Sequence, residues 1–321
     1  MARELSVRGA VVICGVLFGL IWGGDAVYRL VNQPDEKAAI DDARFNNSET
    51  EPTETILTTD DAGNTLIIQE AGSGLGGGED VPDGYMTIPQ DEAAIHTGML
   101  VQLDSTHSYS GNPGDFTTFE KKNESYRMKR MDLPVQSAVV NAMNAMGTAY
   151  QSANGAANLM VYSTTAPYEK AGSLYPNALP DQCTGYCVDL CILNEDETIS
   201  RIEKPNAWLS ENAWKYGFVF SYTEADSASG VGAAPHHLRF IGKVHAGIMQ
   251  SQNLTLSGYY DYLRAHTMDV PLYYTVGETI YTVYYVPSAG GTTEVPIPKK
   301  AKYEISGNNS DGYIVTVEGQ H

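Results

Sequence analysis

Residues 207–242 read AWLSENAWKYGFVFSYTEADSASGVGAAPHHLRFIG, and the order of elements in this stretch decides the fold. A helical segment carrying Trp208 and Trp214 stops at Gly217, where glycine suits the left-handed position that closes a helix. A short apolar strand follows from Phe218 to Tyr222. After a loop come Pro235, His236 and His237, and then a second apolar run from Leu238 to Ile241.

Toward the N-terminus, Gly185 to Cys191 (GYCVDLC) and Asn158 to Ser163 (NLMVYS) read as strands, and Ile95 to Leu103 as another. Between them Leu133-Pro134 opens a helix. Ala138/Val139, Ala142/Met143, Met146 and Ala149/Tyr150 recur at helical spacing, which makes the methionines core filler. Toward the C-terminus, Gly242 to Gln252 reads as a helix, and Thr255 caps a further one over Leu256 to His266. From Leu272 the pattern turns to short β-rich runs separated by Gly290-Gly291 and by the turn cluster Gly307 to Gly312. This marks a small C-terminal β module over residues 269–321, whose tyrosines suit strand packing.

The chain of 321 residues is long enough for one or two domains with a sizeable core. Its net charge of −19 excludes nucleic acid as a partner of the folded part, since phosphates would repel it. That charge is concentrated: from Gln33 to Tyr85 there are thirteen acidic residues and only two basic ones, Lys37 and Arg44. With the glycine run at 72–78, residues 33–84 read as an acidic flexible linker that buries too little apolar surface to order itself. Thr65 to Gln69 (TLIIQ) is the local exception, with the pattern of a short strand.

Residues 1–32 read as a targeting element. Arg3 and Arg8 precede the apolar run from Gly9 to Trp22, and Gly24-Asp25-Ala26 has the small-x-small form of a cleavage site. The run is short for a span of about 20 residues, so a cleaved signal peptide and an uncleaved anchor both remain open. Either places the folded part outside the cytoplasm, with the membrane reached through the N-terminal segment.

The helix–strand–histidine order resembles the VanY-like D-alanyl-D-alanine carboxypeptidases, which read roughly WLxENAxKYGF and then EPWHFRYVG. Three separated motifs keep their order and frame over about residues 99–267. The resemblance implies an α+β fold with helices on a small antiparallel sheet, over residues 85–268. It also implies a zinc peptidase ancestry acting on peptidoglycan stem peptides, in a Gram-positive-type cell envelope. Zinc peptidase chemistry needs protein ligands that leave one position open, a carboxylate to deprotonate the bound water, and a cation to hold the substrate carboxylate. In the family these come from SxHxxGxxxD, ExWH and an SGYR segment.

Laid on this chain, Pro180 to Asp189 keeps the glycine (Gly185) and the aspartate (Asp189), but Gln182 stands at the first histidine. Ala234-Pro235-His236-His237 keeps the last histidine, with Ala234 at the general-base glutamate. Ser163 to Tyr175 keeps the frame of the third motif, with Ala166 at the arginine. The resemblance thus leaves no catalytic residue and no substrate clamp intact. Asp189 and His237 are a remnant metal pair, which Cys183, Cys187 or His236 would complete in a rebuilt site. The expectation is a binding or scaffolding pseudoenzyme without a cofactor, its partner an envelope protein, a peptide or peptidoglycan. The alternative is an active zinc D,D-carboxypeptidase with that rebuilt site. Glu224 and Asp226 lie in the preceding loop, in reach of a base role. Cys187 and Cys191 on one extended strand would stand about 13 Å apart, too far to bridge, leaving a Cys183–Cys187 bond or none.

Overall fold

The computed structural model describes residues 55–69, 82–164 and 178–319. The targeting segment, Cys14, Ala166 and the stretch from Ala171 to Tyr175 lie outside the described residues. The chain forms two compact units. One comprises residues 93–261 with 306–311, and the other takes in residues up to 92, 262–305 and 312–321.

In the second of these units the N-terminal strands β1 (Thr55–Thr59), β2 (Thr65–Gln69) and β3 (Tyr85–Gln90) join the C-terminal ones. These are β10 (Leu272–Val276), β11 (Thr279–Pro287), β12 (Thr293–Pro298), β13 (Lys302–Gly307) and β14 (Gly312–Glu318). The main sheet runs β1-β2-β10-β11-β14-β13, and β3 pairs with β12 apart from it. The expected flexible linker over 33–84 therefore needs correction between Thr55 and Gln69. Leu57, Leu66 and Ile67 are buried there, and β2 pairs antiparallel with β10, so this hairpin finds an apolar surface that its acidic surroundings did not announce. The β module is likewise not confined to residues after 269, because β1, β2 and β3 complete it.

The other unit carries β4 (Arg127–Met128), helix α1 (Ser137–Asn154), β5 (Leu159–Ser163), β6 (Cys187–Leu193) and β7 (Ile199–Arg201). Then come α2 (Ala207–Asn212), β8 (Phe218–Val219), β9 (His237–Phe240), α3 (Gly242–Ser251) and α4 (Leu256–Arg264), the last running across the division. The sheet order is β4-β5-β6-β9-β8, with β7 also on β6. All its pairs are antiparallel except β4 with β5. This is the mixed α+β architecture the sequence implied.

Helix α1 buries Val139, Val140, Met143, Met146 and Tyr150, one face at helical spacing. That face packs on Leu159, Val161, Val188, Leu190 and Leu238, with Leu209 and Ala213 completing the core. Asn206 caps α2 by accepting from the Leu209 amide at 3.1 Å, and a 3-10 turn continues it to Gly217 at φ +88°. Thr255 Oγ1 accepts from the Gly258 amide at 3.2 Å at the start of α4, as its sequence position suggested.

Ile95 to Leu103 is not a strand. Glu92–His96 forms a 3-10 turn, and the following backbone is irregular. Its polar groups are used otherwise: Leu100 N–H donates to Ser306 Oγ at 2.8 Å, and the Met99 and Val101 carbonyls accept from Arg239. The strand expected from Phe218 to Tyr222 likewise ends at Val219.

Candidate functional site

The period of two along a strand sorts β6 and β9 into two faces. Val188, Leu190 and Leu238 point to the core under α1. Cys187 and Asp189 on β6 stand opposite Arg239 and His237 on β9, so these four share the other face. All four are buried. A 3-10 turn, Pro180–Thr184, leads into β6 and brings Asp181 and Gln182 to the same place. That turn closes at Gly185, whose φ of +75° suits glycine; a Cβ there would lie 2.3 Å from the Phe116 ring.

At the centre is His237, whose side chain is fully buried. Its Nδ1 lies 2.7 Å from Asp189 Oδ1 and its Nε2 lies 2.9 Å from Asp181 Oδ1. The outer oxygens of both carboxylates are also held. Asp189 Oδ2 accepts from Gln182 Nε2 at 2.6 Å and from Ser163 Oγ, and Asp181 Oδ2 accepts from Ser221 Oγ at 2.7 Å. Tyr222 stacks on the imidazole at a centroid distance of 5.8 Å, its hydroxyl donating to Leu103 O.

The electrostatics follow from this clamp. Burial disfavours a charged His237, but the Asp181 carboxylate, the nearby Cys187 and the hydrogen bonds that both aspartates accept outweigh it and raise the imidazole well above its ordinary value. Burial likewise opposes ionisation of Asp181. The charges of His237 and Arg239 hold its carboxyl well below the usual range. Burial and the nearby Asp181 push the Cys187 thiol up to about 12.

The positions that the resemblance assigns to zinc do not fit it. The Gln182 amide nitrogen is not a zinc ligand and is spent on Asp189. Asp189 Oδ1 and His237 Nδ1 are hydrogen-bonded to each other at 2.7 Å, which leaves Nε2 as the ring nitrogen that faces Asp181. Ala234 is buried and brings no carboxylate. Its N–H donates to Tyr222 O at 3.0 Å and its carbonyl accepts from the His237 amide. Asp226 is committed to the Ser257 amide at 3.1 Å, and Glu224 is exposed.

Of the proposed completing residues, the structure brings Cys187 to the cluster. The donor atoms of Asp181, Cys187 and His237 lie within 4.8 Å of one another. Cys183 and His236 are not in that group: the Cys183 thiol donates to Pro180 O at 3.0 Å, and burial lowers the His236 imidazole to about 4. Cys183, Cys187 and Cys191 are free thiols. Asp181 is the residue that sequence reasoning missed. It occupies a variable position of the motif, and its one signal was an acid beside the vanished ligand at 182.

The region that carries this site is similar to known proteins. Residues 148–243 match the family model "VanY: D-alanyl-D-alanine carboxypeptidase". A D-alanyl-D-alanine carboxypeptidase of Enterococcus faecium is 35% identical over 156 residues, covering 47% of this chain and 48% of its own length. The putative carboxypeptidase YodJ of Bacillus subtilis (strain 168) is 36% identical over 55 residues, 17% of this chain and 20% of its own. The chain thus spans half or less of the curated relatives it matches. Among solved structures, the vancomycin resistance D,D-dipeptidase VanXYg, in complex with a D-Ala-D-Ala phosphinate analogue, aligns with a TM-score of 0.60. It shares 21% identity, over 73% of this chain and 99% of that one, a likeness of fold. The motifs around Asp189 and His237 fall inside the matched residues, and this part of the chain is similar to the VanY D-alanyl-D-alanine carboxypeptidases.

Proposed function

We propose that this chain is a non-hydrolysing member of its family, a cell-envelope protein outside the cytoplasm that binds a peptide or protein segment at the old cleft. One observation carries the reading: Ala234 is buried at the general-base position, its N–H on Tyr222 O, in a cluster where Gln182 stands for the family's first histidine and donates to Asp189. Loss of a general base alone costs about a hundredfold to ten-thousandfold in rate. Here Ala234 removes the base, Gln182 a ligand and Ala166 the cation for the substrate carboxylate. The fold that shaped the cleft is kept, since β6 and β9 still pack on α1.

Without an arginine at 166, a terminal carboxylate has no counter-charge from that position, so an uncharged or cationic segment suits the cleft better. The acidic stretch before the folded part and the N-terminal apolar run support a membrane-tethered setting. Calorimetry tests the binding preference with two stem peptides, one ending in free D-Ala-D-Ala and one amidated. The free-carboxylate peptide is expected to bind no tighter than the amidated one. Micromolar affinity that is lost on amidation would return the protein to the wall-terminus binders.

A further inference from the structure

We propose that Asp181, Cys187 and His237 form a buried zinc site of structural type, displaced from the family's ligand positions and built on a thiolate. Three observations carry it. The donor atoms of the three side chains converge within 4.8 Å, as ligands at about 2.0 to 2.3 Å from one ion require. Asp189 Oδ1 holds His237 Nδ1 at 2.7 Å, which turns Nε2 toward Asp181 and Cys187. A carboxylate behind a metal-bound histidine is the usual way such a ring is aimed and made more basic. Finally, Arg239 is fully buried on the same face, and its Nε and Nη1 have no hydrogen-bond partner among the described residues. Buried donors without an acceptor are rare, and a water or hydroxide in the fourth zinc position supplies one.

Thiolate and imidazole ligation needs deprotonated donors, so metal uptake releases protons to solvent. The burial of all three ligands and the alanine at 234 make the ion a brace between β6, β9 and the 180–184 turn rather than a hydrolytic centre.

The test uses the full chain purified without chelator, with zinc or cobalt alone as the probe. About one zinc per chain is expected, and the cobalt form should show a sulfur-to-metal charge-transfer band. Cys187→Ser should abolish the band, whereas Cys191→Ser, whose thiol faces Met160 O, should keep it. Asp189→Asn should weaken zinc affinity about ten- to a hundredfold. X-ray absorption of the unmutated zinc protein, which needs no variant to fold, should show one sulfur at about 2.3 Å among nitrogen and oxygen ligands. Absence of stoichiometric metal, a metal shell without sulfur, or full retention by Cys187→Ser would overturn the site. The proposed function is read separately by D-alanine release, so either can fail alone.

Discussion

His237 and Asp189 face each other directly across the β6–β9 ladder, with Nδ1 and Oδ1 2.7 Å apart. The resemblance assigns both to one metal ion. In this fold they bond to each other, and the second nitrogen of the imidazole turns to Asp181, a residue outside the family's motif positions. At position 182 an amide donates to Asp189 Oδ2 at 2.6 Å, on the side of the carboxylate away from the histidine contact.

Such a clamp should be felt in stability. Removing one partner of a fully buried ion pair leaves the other charge uncompensated, at a cost of about 3–5 kcal/mol. Asp189→Ala should lower the urea midpoint by a corresponding amount. Glu203→Ala, at an exposed loop position after β7, should leave it nearly unchanged. Equal effects of the two variants would show that the cluster does not brace the sheet.

Acid should destabilise the protein through a different histidine. Burial lowers the His245 imidazole to about 3, and its Nδ1 lies 2.7 Å from the Tyr259 hydroxyl. The unfolded chain binds a proton at this residue below its ordinary value of 6.5 and the folded chain does not. The stability contribution of neutral His245 is therefore complete above 6.5 and lost as pH falls toward 3. His236, lowered to about 4, acts with the same sign. Urea midpoints should fall steadily as pH drops from about 7.5, one unit above this window, to about 4.5, inside it. His245→Leu should flatten the slope, and an unchanged slope would contradict the assignment.

Gly185 offers a backbone test. It combines a positive φ with a Cβ position 2.3 Å from the Phe116 ring, so Gly185→Ala meets both conformational strain and a clash. The expected destabilisation is about 1–3 kcal/mol by chemical denaturation. Gly114→Ala, also at positive φ but with open space around it, should cost less. If the two variants cost the same, the ring contact does not matter.

The legible parts of the fold were those with strong local periodicity. The helix of Val139 to Tyr150, the strands around Val161 and Val188, and Gly217 as a helix end could all be read because one face or one turn dictates them. Ile95 to Leu103 misled because its apolar residues are buried without a ladder. Their carbonyls serve Arg239, a partner 138 to 140 residues away that no local pattern shows. The hairpin at Thr55 to Gln69 was half-legible, since TLIIQ reads as a strand but its partner β10 lies some two hundred residues on. At the site, Asp189 and His237 were readable from motif spacing, and Cys187 only as one alternative beside Cys183 and His236. Asp181 was not, because its role depends on the 180–184 turn folding back over β6.

The most direct test of the central claim is D-alanine release from a stem peptide ending in D-Ala-D-Ala, by the full chain with zinc supplied. The account predicts no release above the uncatalysed rate, with or without metal and in His237→Ala alike. Zinc-dependent release that disappears in His237→Ala would contradict it and make the chain an active peptidase.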